Sequence, residues 1–239
     1  SSRRSQKAVA GARSKILRME RIAITTDDEK TIIGNWSAVA QPRGWALLLH
    51  MMPATKESYG ALALALHAQG IASLAIDSRG HGESDGGPNG YQQFTDAEQQ
   101  EKVRDVAASV AWLTRAGASE TRLIMVGASI GANLALQWLA THASVPAAVL
   151  LSPGLDYRGI RTEPLAASLA LSQHILLAAG GADDEYSTAS VHRLAKILGA
   201  RATTHISKNA GHGTTALERD PTCMSKVTDW MVARTTASE

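Results

Sequence analysis

"RLIMVGASIGANLALQWL", residues 122–139, is the segment of this chain with the clearest structural pattern. An apolar run enters a Gly-Ala-Ser-Ile-Gly turn and leaves it with the spacing of a helix. A sharp turn of this kind strains its central residue, and side chains two positions away would collide with the neighbouring elements. Gly127 and Gly131 meet that need, so the turn would present Ser129 as a nucleophile. The alternative is a turn of small residues without chemistry, and partners elsewhere must decide between the two.

Around this turn, short runs rich in apolar and β-branched residues predict strands. They cover residues 21–25, 31–39, 45–50, 71–77, 122–127, 147–151, 174–179 and 202–207. Helical spacing follows most of them, at residues 56–69, 96–115, 130–142, 188–198 and 221–234. A hairpin followed by strand–helix alternation predicts an α/β fold with one mostly parallel sheet of roughly eight strands and helices on both faces.

Length and composition favour one globular domain. The chain has 239 residues, of which 44% are hydrophobic, and this is enough to bury a proper core. A net charge of +2 and an aromatic content of 4% argue against nucleic acid as a partner. No apolar run approaches the ~18 residues of a membrane span. Residues 1–18 are basic, so we predict a flexible arm there and a single domain over residues 19–239.

Cysteine content and motifs bear on cofactors and on the compartment. Cys223 is the only cysteine, which excludes an intrachain disulfide and a thiolate metal cluster. Zinc-protease, dinucleotide and Walker A motifs do not occur, so we expect neither a metal nor an organic cofactor. The compartment stays open: the cytoplasm is slightly favoured, and a secreted or periplasmic mature form also fits. The sequence leaves the oligomeric state open.

A nucleophilic serine needs a base, and His212 is the candidate. It lies in "NAGHGTT", after the last predicted strand and before the last predicted helix. Gly211 and Gly213 on either side leave room for the imidazole ring. His205 falls within the preceding strand, where a structural role is expected. Since active residues of such sheets lie on loops beyond the carboxyl ends of the strands, Ser129 and His212 are predicted to meet there.

The base in turn needs an orienting acid, expected on the loop after the next-to-last strand. That loop reads "ILLAAGGADDEYS" and offers two adjacent carboxylates, Asp183 and Asp184. We favour Asp184, because the residues after it lead directly toward the helix, and keep Asp183 as the alternate acid. The chain order Ser129, Asp184, His212 is the order that a nucleophile-elbow architecture requires.

With these residues in place, the chain over residues 21–234 resembles the α/β-hydrolase superfamily. Within it, the chain is similar to the small lidless serine esterases and to the serine-bearing relatives of dienelactone hydrolases. "GASIG" matches the nucleophile elbow, "NAGHG" the histidine loop, and "AIDSRGHGES" the segment with the Asp-x-Arg-Gly-His-Gly-x-Ser pattern. The resemblance implies that this last segment, which includes His81, is mainly structural.

The resemblance also implies an oxyanion hole made of two backbone N–H groups. Ile130 would supply one as the first residue of the helix after the elbow. Met52 would supply the other, because it stands two residues after His50, at the end of the third strand. Met51 replaces the glycine that is usual at this point, so a side chain stands beside the expected hole.

The segment between the sixth and seventh predicted strands, residues 152–173, is too short for a cap domain. It holds a loop and one short predicted helix, so we expect an open cleft that admits small-molecule esters and bulky esters alike. Met51, Leu155 and Tyr157 are the candidates for its apolar, substrate-binding wall. Packing in the core is the alternative for each of them.

The sequence therefore predicts a serine hydrolase of the carboxylesterase type, which works through a Ser-His-Asp triad and an acyl-enzyme. Two alternatives stay open. The same triad serves thioesterases and acyltransferases, and the fold is also used by binding proteins without catalysis, in which a triad residue is usually lost.

Overall fold

A computed structural model describes residues 19–236 of the chain. The predicted basic arm, residues 1–18, lies outside the described residues, as do the last three residues of the predicted domain. The strands of the main sheet, in chain order, are β1 (Glu20–Thr25), β2 (Thr31–Ser37), β3 (Gly44–Leu49), β4 (Ile71–Ile76), β5 (Leu123–Ala128), β6 (Ala147–Leu151), β7 (His174–Ala179) and β8 (Ala202–Ile206).

These strands form one sheet of eight in the order β1-β2-β4-β3-β5-β6-β7-β8. Strand β2 runs antiparallel to both of its neighbours, and all other neighbouring pairs are parallel. The predicted mostly parallel sheet is therefore confirmed. Every residue of β3, β4 and β5 is buried, as strands covered on both faces should be.

Helices cover both faces of the sheet. They are α1 (Gly60–Ala68), α2 (Asp96–Gln100), α3 (Lys102–Arg115), α4 (Ile130–Thr141), α5 (Thr162–Ser168), α6 (Glu185–Leu198), α7 (Thr215–Arg219) and α8 (Pro221–Thr236). Two predicted helices are each divided in the structure. Residues 56–69 begin with a 3₁₀ turn, Lys56–Tyr59, and residues 96–115 break at Glu101.

The alternating side chains of β3 show how the core is divided by the sheet. Leu47 and Leu49 pack in a cluster that also contains residues of α3, α4 and α6. Leu48, between them, points to the other face and packs in a cluster with residues of α1 and α8. Because successive side chains of a strand point to opposite faces of the sheet, one short apolar strand contributes residues to both layers of the core.

The connection from β6 to β7 is short, as predicted, and within this described segment there is no cap domain. It holds a small hairpin, Asp156–Tyr157 paired with Ile160–Arg161, followed by α5. The fully buried Asn133 of α4 holds the hairpin, because its Nδ2 donates to the carbonyls of Gly154 and Ile160 at 3.1 and 2.8 Å. Within residues 19–236, none of the helices has the length and apolar character needed to cross a membrane.

Candidate active site

Ser129 lies in the sharp turn between β5 and α4. Its backbone angles, φ 55° and ψ −121°, are a strained combination for a residue with a side chain. The strain is held by the surrounding backbone, since the Ser129 N–H donates to the Leu151 carbonyl at 2.9 Å. A Cβ at Gly127 would collide with the Gly131 carbonyl, and one at Gly131 with the Leu49 carbonyl. Both glycines therefore have the steric reason that the sequence analysis gave them.

His212 is bound to Asp184. The Nδ1 atom of His212 lies 2.8 Å from Oδ1 of Asp184, which is 8% exposed. Burial by itself would raise the pKa of Asp184, but hydrogen bonds from His212 and Ser152 outweigh it and lower that pKa. The carboxylate is therefore kept ionised beside the imidazole ring, where it can orient the ring and stabilise its charged form.

The neighbouring Asp183 has a different contact. Its exposed carboxylate accepts a hydrogen bond from the Gly211 N–H at 3.1 Å and makes none with His212. Of the two carboxylates that the sequence analysis kept open, Asp184 is thus the one that lies against the histidine ring. Asp183 instead holds the backbone of the loop that carries His212.

Ser152 is a residue of this site that sequence reasoning missed. Its hydroxyl donates to Oδ2 of Asp184 at 2.6 Å and accepts from the Gly213 N–H at 2.7 Å. The residue has a left-handed backbone, with φ 51°. Its position directly after β6, at the edge that carries Ser129, was the available signal. One buried hydroxyl thus connects the carboxylate to the histidine loop.

Among the described residues, no hydrogen bond joins the Ser129 hydroxyl to the His212 ring. Both nevertheless border the same space, because Gly213 lies against Ala128 and the Tyr157 ring stands edge-on to the His212 ring at 6.4 Å. Such contacts are often loose in unliganded enzymes and tighten when the substrate binds. The Nε2 atom of His212 has no partner within the described chain, so it is available to accept a proton.

The loop after β3 lies next to the start of α4, because Gly131 packs against the carbonyls of Leu49 and His50. The backbone N–H groups of Met52 and Ile130 bond to no acceptor in the described part of the chain. Two free donors at this place are what an oxyanion hole requires.

His50 connects the loop after β3 to the segment after β4. Its Nδ1–H donates to the Met51 carbonyl at 2.8 Å, and its Nε2 accepts from the Ser78 N–H at 3.0 Å. Burial lowers the pKa of His50 to about 4, so the ring is neutral and both bonds are maintained. In the sequence, His50 served only to locate Met52; in the structure its ring positions the backbone of Met51.

The three residues proposed for the substrate wall differ in their surroundings. Met51 is half-buried and its sulfur atom lies over Gly213, next to His212. Tyr157 borders Ser129 and His212. Leu155 packs against the core cluster that contains residues of α4. Met51 and Tyr157 also pack against the core clusters, but each of them has a further contact beside the triad candidates, and among the described residues Leu155 has none.

His81 and His205 lie outside this site. The buried His81 ring stacks on Tyr91 at 4.1 Å, and burial lowers its pKa to about 2. His205 contacts Asp220, at 3.0 Å from Nε2 to Oδ2. Both histidines hold loops and helices in place. Across residues 19–236, no group of His, Cys, Asp and Glu side chains is arranged to hold a metal ion.

The sheet order and the strained elbow define the fold of an α/β-hydrolase. A family model described as Hydrolase_4, serine aminopeptidase, S33, matches residues 40–179, and the chain belongs to this family of hydrolases. The matched segment contains the loop after β3 and the elbow, and it ends before Asp184 and His212. Comparison with curated proteins gives no significant match.

Solved structures support the same fold. The Pyrococcus furiosus esterase Pf2001 is 21% identical, with a TM-score of 0.73 over 95% of this chain and 96% of that chain. The esterase RhEst1 from Rhodococcus sp. ECU1013 is 17% identical, with a TM-score of 0.70 over 89% and 98% of the two chains. The alpha/beta hydrolase GrgF from Penicillium sp. sh18 is 14% identical, with a TM-score of 0.75 over 91% and 99%. Similarity to dienelactone hydrolases stays a prediction.

Proposed function

We propose that this chain is a serine hydrolase of the carboxylesterase type, with Ser129 as nucleophile, His212 as base and Asp184 as orienting acid. The observation that carries the proposal is the 2.8 Å contact between His212 and Asp184 at the edge of the sheet where Ser129 occupies its strained elbow. Two of the structurally similar proteins bear the name esterase, which agrees with this choice of substrate.

In the acylation step, Nε2 of His212 accepts the hydroxyl proton of Ser129 while Oγ attacks the ester carbonyl carbon. The carbonyl oxygen becomes an oxyanion, which receives hydrogen bonds from the backbone N–H groups of Met52 and Ile130. His212 then returns the proton to the leaving alcohol, and the carbon–oxygen bond of the ester breaks. Asp184 keeps the ring in the correct tautomer and stabilises its transient positive charge.

Deacylation repeats these steps with water. His212 accepts a proton from water, whose oxygen attacks the acyl carbon, and the bond to Ser129 Oγ then breaks as His212 returns the proton. The acid product leaves through a cleft over which the described residues place no cap domain, so we expect small and bulky esters both to have access. Apart from the ester and water, these steps use only the residues named here.

Thioester or amide hydrolysis and acyl transfer to an alcohol use the same groups. The family description names an aminopeptidase, which makes amides a necessary arm of the test. A panel of p-nitrophenyl esters, acyl-CoA thioesters and aminoacyl anilides would rank these activities. We expect the p-nitrophenyl esters to be the best substrates.

Covalent labelling with a fluorophosphonate tests the proposal directly. We expect one adduct on the folded protein, located on Ser129 by peptide mass spectrometry. Ser129→Ala should abolish the adduct and lower ester hydrolysis by at least about a thousandfold. Ser168→Ala, a change at an exposed serine of α5, is the matched control and should label normally. Absence of a label on the folded wild-type protein would instead indicate a binding protein without catalysis.

A further inference from the structure

Tyr157 lies on the hairpin that follows β6, and its ring is held from several sides. The ring stands edge-on to Tyr186 at 5.7 Å and covers Gly154, where an added Cβ would approach it to 2.6 Å. Asn133 and Thr162 both bind the carbonyl of Gly154, at 3.1 and 2.8 Å. Because α4 begins at the elbow, Asn133 fixes the hairpin relative to Ser129. Tyr157 is thus held rigidly in the site.

The hydroxyl group of Tyr157 has two hydroxyl neighbours. It lies 3.2 Å from Oγ of Ser187, and the ring that carries it stands edge-on to the ring of His212 at 6.4 Å. Burial raises the pKa of Tyr157, and the hydroxyl of Ser129 is close enough to lower that pKa in part. Because burial outweighs this effect, the phenol keeps its proton at neutral pH and is available as a donor. Ser187 in turn donates to the Ser152 carbonyl over a long 3.4 Å contact. Ser129, Tyr157 and Ser187 therefore form a row of hydroxyl groups.

Each hydroxyl of this row has one proton, so the direction of its hydrogen bonds depends on the state of Ser129. In the free enzyme Ser129 can donate to Tyr157, which then donates to Ser187. In the acyl-enzyme Oγ of Ser129 has lost its proton and can only accept. The proton of Tyr157 must then turn toward Ser129, and Ser187 can donate to Tyr157 by giving up its long contact with Ser152.

We propose that Tyr157 is a further catalytic residue, whose hydroxyl donates a hydrogen bond to Oγ of Ser129 in the acyl-enzyme and promotes deacylation. This role rests on the proposed function. When the tetrahedral intermediate collapses, the bond between the acyl carbon and Oγ breaks and its electron pair moves to Oγ, which receives the proton from His212. The proton of Tyr157 stays on Tyr157 throughout and stabilises the negative charge that develops on Oγ.

In acylation the same hydrogen bond does not accelerate the reaction. Oγ then begins as the nucleophile and loses electron density to the new bond, so a donor at Oγ gives no advantage in that step. The hydroxyl of Tyr157 should therefore affect the two half-reactions unequally. This inequality distinguishes it from a residue that merely shapes the cleft, which would change both.

The test uses stopped-flow kinetics with p-nitrophenyl acetate, together with intact-mass measurement of the acyl-enzyme after acid quench. Tyr157→Phe keeps the ring and removes the hydroxyl. We expect the deacylation rate to fall about tenfold or more, while kcat/KM changes far less. The acyl-enzyme should accumulate to a larger fraction at steady state. Tyr91→Phe, which removes a phenol hydroxyl whose one partner among the described residues is Gln92, is the matched control and should behave as the wild-type protein.

Ser187→Ala supplies a second, independent variant, because it removes the competing partner of Tyr157 and leaves the phenol in place. We expect its deacylation rate to equal that of the wild-type protein or to exceed it. An unchanged deacylation rate in Tyr157→Phe, or an equal fall in kcat/KM, would overturn the inference. So would an equal slowing in Ser187→Ala. If the wild-type protein forms no acyl-enzyme on Ser129, the proposed function itself fails, which is a separate result.

Discussion

At the scale of single residues, the site depends on how one carboxylate is satisfied. Asp184 accepts hydrogen bonds from His212, from the Ser152 hydroxyl and from the Gly180 N–H at 3.3 Å. A buried carboxylate with such partners stays charged, and its two oxygen atoms are held in fixed directions. One oxygen is thereby reserved for the histidine ring. The orientation of His212 therefore depends on the contacts that Ser152 and Gly180 make with Asp184.

Exchange of each neighbouring aspartate for asparagine separates their roles. Asp184→Asn puts an amide against Nδ1 of His212, which favours the wrong tautomer, and we expect kcat/KM for ester hydrolysis to fall by about a thousandfold or more. Asp183→Asn keeps an oxygen that can accept from the Gly211 N–H, so a fall of less than about threefold is expected. Steady-state kinetics on purified, folded variants checks both. Equal losses would show that the acid role is not confined to Asp184.

At the scale of elements, Asp220 connects the last strand to the last helix. It directly precedes α8, and its Oδ1 accepts from the Thr222 N–H at 2.9 Å, as a helix-capping residue does. Its Oδ2 accepts from Ser207 at 2.6 Å and lies 3.0 Å from Nε2 of His205. Hydrogen bonds from Ser207 and His205 hold the pKa of Asp220 well below its usual range. The carboxylate thus both caps the helix and attaches it to β8.

Replacement of Asp220 by alanine should lower the free energy of unfolding by about 1–2 kcal/mol near neutral pH. Since the folded-state pKa lies below the unfolded value, this contribution is complete above the unfolded pKa and is lost as the pH falls toward the folded one. The difference between wild-type and variant should therefore shrink below about pH 4. Urea denaturation at several pH values measures it. Asp229→Ala, at an exposed position of α8, is the control, and a pH-independent difference would contradict the argument.

The parts of the site that lie on loops directly after a strand could be predicted from the sequence. The elbow at Ser129, the loop of His212 and the eight strands each have a local pattern of glycines or apolar residues. Ser152 and the hydroxyl of Tyr157 could not be assigned in the same way, because their contacts lie some thirty to sixty residues away along the chain. The helix break at Glu101 was also missed. The capping box formed by Thr95 and Glu98 lies at the start of α2, where the predicted helix also begins, so this local signal marks the start of the helix and not its break.

At the scale of the whole molecule, Arg79 joins three parts of the fold. Its guanidinium donates to Asp28 in the β1–β2 turn at 2.7 and 3.0 Å, and its Nε donates to Asp105 of α3 at 2.8 Å. Arg79 itself belongs to the segment after β4 that also carries His81. Asp105 is fully buried, and burial raises its pKa to about 6 although Arg79 opposes this rise. One arginine thus balances the charge of a buried carboxylate and holds the antiparallel end of the sheet to α3.

The balance of charge around Arg79 predicts a double-mutant result. Arg79→Met leaves the carboxylate of Asp105 buried without its cation, and we expect a loss of about 3–5 kcal/mol in the free energy of unfolding. Because a raised folded-state pKa makes the charged form costly only above that pKa, this loss should be smaller at pH 5 than at pH 8. Adding Asp105→Leu removes the unpaired charge and should restore much of the stability. Urea denaturation of the two variants at both pH values measures these differences. If the double variant is no more stable than Arg79→Met, then Arg79 does not stabilise the fold by offsetting the charge of Asp105.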